Sequence, residues 1–391
     1  AKPGDSGELK FCPKIIDNPG WLFVGSYSGV TDYENGQTEP EEDADGTGGG
    51  GLTNPKSGQG AGELSEAIQV SLEYCDEGGS TIRELNNPDD YTLADLFKDL
   101  ETGFLIDGDD GTSGTQAYPS SPDEGTQNGP CLCIDWEIPT DVGNEIQSDG
   151  VEFDVTFVAR QERNNSDYDN PFVDLTVGTG SGFDHNTIQA AVNAASSDAV
   201  ISVADDSDPF SPSSPVTVGT PGLTIAGAGE GQTTIDASGL ERGMAIEADG
   251  VTVCDLTVDN AGSGVSSGEV EGIFVGDASQ SGFTDTGESI RIRDVTVSNV
   301  DGSGRTAEGI HIKSYDTGDP IDGVSINGVT IDGVDEPNAG GNGIKIQSDV
   351  NNVTIYDTTI TNISGKWSYG VTPTASSGEL GTPEDISIVN S

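Results

Sequence analysis

Between residues 251 and 360 one short phrase occurs four times, and its recurrence leaves few folds open. Val251-Thr-Val253, Ile290-Arg-Ile292, Val324-Ser-Ile326 and Val353-Thr-Ile355 are each followed, after a two-residue break, by a second apolar alternation: Leu256/Val258, Val295/Val297, Val329/Ile331 and Thr358/Ile360. A further beat, Gly followed by Ile or Val, falls at Gly272, Gly309, Gly343 and Gly370. A period of two marks a strand, because successive side chains of an extended chain point to opposite faces. Units that begin roughly 30 to 40 residues apart, and cannot bury an apolar face alone, must stack on one another. The repeat is too irregular for a hexapeptide helix and too rich in Val and Ile for a linker. The pattern predicts a parallel β-helix.

The text leading into these repeats fits an entry coil. Asp184 or Asn186 can cap a helix whose buried stripe is Ile188, Ala191, Val192 and Ala195. Strands are expected at Ala199–Val203, Val216–Val218 and Leu223–Ile225. A helix in that place covers the open first coil, whose unpaired edge would template aggregation. Asn260, Asn299 and Asn362 recur at one turn position, opposite Gly333, as left-handed turns or an asparagine ladder would require.

The segments "FDHNTIQAAVNAASSDAVISV" and "TVGTPGLTIAGAGEGQTTIDAS" resemble the entry of pectin-lyase-like right-handed β-helices, a likeness that runs from about Val173 to the C-terminus. The resemblance implies fold more than activity, since this architecture hosts unrelated functions. Enzymes of that group set carboxylates with a basic residue or calcium on an outward strand face. Here the outward positions beside the Gly-Ile beat are Phe274, His311, Lys345 and Thr372, with Gly276, Lys313, Gln347 and Thr374 two residues on. That ladder shows no carboxylate pair, so no catalytic residue is expected and the chain is read as a non-enzyme; a secreted polysaccharide lyase or hydrolase, or a glycan-binding adhesin using the β-helix, is the alternative. It does gather Phe274, His311, Lys313 and Lys345, expected to cluster with Arg291 and Arg293. Such a patch suits an acidic glycan or a neighbouring subunit; the plainer alternative is isolated bases paired with local acids.

Before residue 166 the grammar differs. Candidate strands (Leu9–Cys12, Trp21–Val24, Ile68–Tyr74, Leu132–Trp136, Val151–Ala159) alternate with long acidic or glycine-rich loops. Thr92–Thr102 puts Leu93, Leu96, Phe97 and Leu100 on one helical face. The expected organisation is all-β: a jelly-roll sandwich over residues 1–165, then a right-handed parallel β-helix with a short capping helix over 166–391. Of five cysteines, Cys12, Cys75, Cys131 and Cys133 can form two bridges of unread connectivity, and Cys254 stands apart. Zinc is the rival, but Cys131-Leu-Cys133 lacks the usual two-residue spacer. Asp107, Asp109 and Asp110 outline a calcium loop or an acidic turn; the closing glutamate is replaced by Tyr118. No other cofactor is suggested. Asn164, Asn352 and Asn362 open N-x-Ser/Thr sequons.

The first half carries a distinctive series: "KPGDSGELKFC", "DNPGWLF", "NGQTEPEE", "LSEAIQVSLEYCD", "TLADLFKDLETG" and, from Cys131, "CLCIDWEIPTDVGNEIQSDGVEFDVTFVARQERNN". Together these resemble haloarchaeal secreted proteins of the TasA/camelysin group, whose precursors carry SipW-type signal peptides. The resemblance implies a jelly-roll subunit of an extracellular filament. Copies would join head to tail by donor-strand complementation, with the β-helix outward against glycans or neighbouring filaments. It departs from that group in two places. The chain starts just before the "KPGD" text, where relatives begin with a strand, and Glu162 stands where relatives often have a cysteine. The final Ile386–Ser391 stops mid-coil, so a truncated C-terminal end is expected as well.

Charge sets the partners. Lys and Arg number 15 against 68 Asp and Glu, a formal charge of −53. A nucleic acid would be repelled by such a surface. No apolar run approaches the ~20 residues of a membrane-spanning helix. The acids are dispersed through strand-like and turn-like text with 32% hydrophobic residues, which favours a folded, halophilic, secreted protein over a disordered tail. At ~1 M salt the Debye length is about 3 Å and self-repulsion is screened. Dialysis from molar to millimolar salt is therefore expected to abolish the strand signal in circular dichroism; full retention would refute a halophilic origin.

Overall fold

In the computed structural model the recurring phrase becomes a stack of parallel strands. The structure describes residues 2–26, 29–34, 58–59, 64–86, 91–109, 116–123, 125–143, 146, 149–163, 170–205, 209–265, 268–276, 290–315, 321–356, 358–374 and 383–389. The chain divides into two compact units, Ala1–Phe172 and Val173–Ser391.

The second unit is a right-handed parallel β-helix with three strand stacks. One stack runs from Leu175–Val177 through Val200–Val203 and Thr224–Ala226 into the first halves of Thr252–Asp259 and Ile290–Asp301, then Ile321–Asn327, Val350–Tyr356 and Glu384–Val389. The second begins at Thr234–Asp236 and continues through the later halves of those longer strands. The third climbs from Val216–Val218 through Arg242–Ile246, Val270–Val275 and Ala307–Lys313 to the ends of Thr330–Gln347 and Thr359–Thr374. The two-residue break between paired alternations is a left-handed bend: φ is +58° at Asp255, +45° at Asp294 and +61° at Gly328. It turns the chain from the first stack to the second.

Inside, Val and Ile of successive coils form one continuous core, including Ile292, Val297, Ile326, Ile331 and Ile355, all fully buried. Asn260, Asn299, Gly333 and Asn362 all take positive φ, from +53° to +88°. The Asn299 and Asn362 amides also donate to a carboxylate on the coil below, Asp259 and Asp332. The left-handed turn is thus present, while the amides of this row bond to aspartates rather than to one another, so the row is not an asparagine ladder. The entry helix, Ile188–Ala194, buries Ile188, Ala191 and Val192. Its cap is neither Asp184 nor Asn186 but Thr187, whose hydroxyl accepts from the Ala190 N–H. Asp184 instead accepts from the Thr176 N–H and hydroxyl, closing the turn before the helix.

The first unit is antiparallel apart from one short parallel pair, Ile15–Ile16 with Ser120–Ser121. Ser6–Phe11, Cys131–Glu137, Gln69–Cys75 and Thr81–Glu84 make a four-stranded sheet. Gly150–Phe153, Val30–Glu34 and Gly58–Gln59 make one three-stranded sheet; Thr156–Gln161, Gly20–Gly25 and Phe104–Ile106 make another. The single strand expected at Val151–Ala159 is therefore two strands, which belong to different sheets. The helix Leu93–Thr102 buries Leu93, Leu96, Phe97 and Leu100 against Leu22, Val24 and Ile106. Thr92 and Asp95 close a reciprocal capping box at its start. Two disulfides, Cys12–Cys131 and Cys75–Cys133, tie three strands of the four-stranded sheet together. Cys254 is buried in the second unit, outside both bridges.

The Gly-Ile beat marks the corner that leads into the third stack. The glycine faces inward: a Cβ on Gly309 would lie 2.6 Å from Ile331 Cγ2 and 2.7 Å from the Gly343 carbonyl. Around Gly370, on the same row, no described atom lies within 4 Å of that position. Gly309→Ala is expected to cost about 1–3 kcal/mol in chemical denaturation, with Gly370→Ala within about 0.5 kcal/mol of the parent. Equal effects would refute the corner's role.

Candidate functional site

The third stack carries its chemistry on the outer face. Because parallel strands stack in register, residues of successive coils form rows about 4.8 Å apart. One row is Arg242, Glu271, Glu308, Asn342 and Tyr369; the next is Ala245, Phe274, His311, Lys345 and Thr372. Between the rows lies the inward Gly-Ile step. Two consecutive inward residues break strict alternation, so the residue before the glycine and the residue after the isoleucine both face out.

Glu271, Glu308 and His311 are all fully buried. Arg242 Nε donates to Glu271 Oε2 at 3.0 Å, and Arg242 Nη2 donates to Oε1 at 3.4 Å. His311 Nδ1 lies 3.3 Å from Glu271 Oε1, and its Nε2 lies 3.2 Å from Gln347 Oε1. Lys345 donates to Glu308 Oε1 at 2.9 Å and sits 3.7 Å from the half-exposed Glu269. Phe274 packs among them: the Arg242 guanidinium lies 3.8 Å from its ring centroid, and His311 meets it edge-on at 5.6 Å.

The two buried glutamates differ sharply. Burial would push the Glu271 carboxyl up, but hydrogen bonds and charge from His311 and Arg242 outweigh it and hold the group below the ordinary range. For Glu308 burial prevails, reinforced by the charge of Glu271, and its carboxyl rises despite Lys345. Glu308 Oε2 is buried and, among the described residues, has no hydrogen-bond partner. Glu336, another fully buried carboxylate of this unit, shows the contrast. Its two oxygens accept four backbone N–H groups, from Gly304, Arg305, Asn338 and Ala339. A carboxyl held below its ordinary range beside one pushed above it, the second with a spare oxygen, is the arrangement that separates base from acid.

Glu269, Glu271 and His311 also bring ligand atoms within 4.8 Å of one another, a possible cation cradle. Arg242 and Lys345 already supply positive charge to those carboxylates, so acid–base chemistry describes the group better than metal binding.

Of the residues singled out in the sequence, Phe274, His311 and Lys345 meet in this cluster. Lys313 lies farther along the same strand, 4.6 Å from the Tyr315 ring centroid. Arg291 and Arg293 do not join them: they belong to the first stack, paired with Thr252 and Ser325 and with Cys254 and Asn327. Asp107 Oδ1 accepts from the N–H groups of Asp109 and Gln116, which fits the acidic turn; Asp110 lies outside the described residues. Asn352 is exposed, Asn362 spends its amide on Asp332, and Asn164 lies outside the described residues. Among the described residues no helix is long and apolar enough to cross a membrane.

The acidic pair was missed at sequence level because only positions after the Gly-Ile beat were taken as outward. The signal was present: Glu-Gly-Ile occurs at 271–273 and again at 308–310.

No protein-family model and no curated protein matches the chain. Among solved structures, a catalytic domain of GH87 alpha-1,3-glucanase in complex with nigerose aligns with 98% of this chain and 56% of its own, at 12% identity and a TM-score of 0.36. Pectin methylesterase from carrot aligns with 55% of this chain and 88% of its own, at 13% identity and a TM-score of 0.26. The chain thus spans 56% of the length of the glucanase it matches. The expectation of a non-enzymatic chain does not stand. It was drawn from the row through Phe274, His311 and Lys345, which lacks paired carboxylates, whereas the row beside it holds Glu271 and Glu308.

Glu271 ionises more readily in the folded chain than in the unfolded one. Its stabilisation is present above the ordinary glutamate value near pH 4.3 and lost as pH falls through the folded value. Glu271→Gln is expected to cost about 3 kcal/mol at pH 7, with the gap to the parent closing below about pH 4. Urea titrations at pH 7 and pH 3.5 check this; a gap independent of pH would refute it.

Proposed function

We propose that the β-helix is a polysaccharide-cleaving enzyme, with Glu308 as general acid and Glu271 as its anionic partner. The observation that supports this is the buried Glu308 Oε2, which among the described residues has no hydrogen-bond partner, beside a carboxylate held below its ordinary range. In the proposed reaction Glu308 gives its proton to a glycosidic oxygen as the C–O bond breaks, and that oxygen leaves with the bonding pair. Lys345, 2.9 Å from Oε1, stabilises the carboxylate left behind. Glu271, fixed by Arg242 and His311, stabilises positive charge growing at the sugar carbon. Water completes the hydrolysis and returns a proton to Glu308.

The first unit is proposed, on the resemblance of its sequence, to be a jelly-roll module of the TasA/camelysin type that assembles or attaches the chain outside the cell. Self-association by donor-strand complementation belongs to the same proposal.

Glu308→Gln is expected to lower kcat by 10²- to 10⁴-fold on a susceptible polysaccharide. The parent's rate should follow a bell in pH, falling on the acid side as Glu271 protonates and on the alkaline side as Glu308 ionises. A reducing-sugar assay on a panel of glycans, with circular dichroism as folding control, checks both. A Glu308→Gln variant as active as the parent would refute the assignment.

A further inference from the structure

The row that holds the acidic pair continues outward past the chemistry, through Asn342 to Tyr369. Tyr369 is 51% exposed, and Trp367, two residues before it on the same strand face, is 55% exposed. These two bared rings are neighbours on one strand. Lys366 Nζ sits 4.4 Å from the Trp367 ring centroid, which puts a cation beside the aromatic surface. Tyr369 lies two coils from Glu308, about 10 Å along the stack at 4.8 Å per coil.

Charge complementarity points to the occupant. The second unit has seven Lys and Arg residues. Four of them, Arg242, Lys313, Lys345 and Lys366, lie on the strands of this one stack. Arg242 and Lys345 are taken up by the buried glutamates, whereas Lys366 is exposed and Lys313 partly so. A ligand with an apolar face and an anionic edge fits a bared ring bordered by an ammonium group. A sugar ring bearing a carboxylate has both: its C–H face stacks on an aromatic ring and its acid meets the lysine.

We propose that Trp367 and Tyr369, with Lys366, form a subsite for an anionic glycan that lies along the third stack and reaches the acidic pair from that end. This rests on the reading of Glu308 and Glu271 as a cleavage site, but binding can be measured without turnover. The probes are a hexameric oligogalacturonate, its dimer, and a neutral hexaglucan, titrated calorimetrically into the full chain in molar salt. The parent is expected to bind the anionic hexamer at least tenfold more tightly than the neutral one. Trp367→Ala and Tyr369→Ala should each weaken hexamer binding about tenfold, leave the dimer within twofold, and leave the circular dichroism unchanged; Trp367→Phe should restore most of the loss. Glu308→Gln should keep hexamer affinity whether or not the parent cleaves, which separates failure of the catalytic reading from failure of the subsite. Hexamer binding unchanged in the double alanine variant, equal affinity for the neutral hexamer, or no binding by the parent would each overturn the proposal.

Discussion

In-register stacking of parallel coils is the constraint on which the second unit depends. Each residue lies about 4.8 Å from its counterpart above and below, so a side chain's nearest neighbours are chosen by the repeat. Inward this is favourable for Val and Ile, which pack on their own kind. Outward it forces polar groups into rows, where like charges repel and opposite charges pair. The row Arg242, Glu271, Glu308 shows the consequence. Glu271 is held between a guanidinium and an imidazole, while Glu308, one coil on, feels Glu271 as a like charge and is paired with Lys345. The contrast between the two carboxyls follows from their order in the stack.

The same constraint explains which parts of the structure could be read from the sequence. Val251, Ile290, Val324 and Val353 share one position in the coil and are all buried, so a period-two pattern repeated at solenoid spacing was sufficient. The turn asparagines were legible too, since few residues other than glycine accept a left-handed conformation. The acidic pair was not, because the Gly-Ile step puts two neighbours inward and shifts the phase of alternation. A strict period of two counted from Ile273 or Ile310 turns Glu271 and Glu308 into core positions, where charge is not expected. Arg291 and Arg293 failed for the opposite reason. They are close to the ladder in sequence, but the chain reaches them after turning onto another face of the coil.

In the first unit, cysteine identity was legible but connectivity was not. Cys131 stands opposite Cys75 in the sheet register, yet the bonds run from Cys131 to Cys12 and from Cys133 to Cys75. A directly opposed pair can still point its side chains to a face where different partners wait. Cys12 follows the strand Ser6–Phe11, which lies on the other side of Cys131–Glu137 from Gln69–Cys75, so the bridges pin the central strand to both neighbours. Closing loops with separations of 119 and 58 residues removes chain entropy worth about 4 kcal/mol or more each on the loop-closure account. A unit with several small sheets gains from such restraint.

Net charge bears on whether an anionic ligand could approach this chain at all. A formal charge of −53 gives a far field that repels anions, and at 0.1 M salt the field extends about 10 Å. Contacts between an ammonium and a carboxylate act within about 4 Å. In molar salt the screening length falls to about 3 Å, so long-range repulsion vanishes while much of a desolvated contact pair survives. Screening of that strength leaves the few basic residues of the third stack to decide locally what binds there. Concentrating those residues on one face is then sufficient for anion selectivity, with no reversal of the sign of the whole surface.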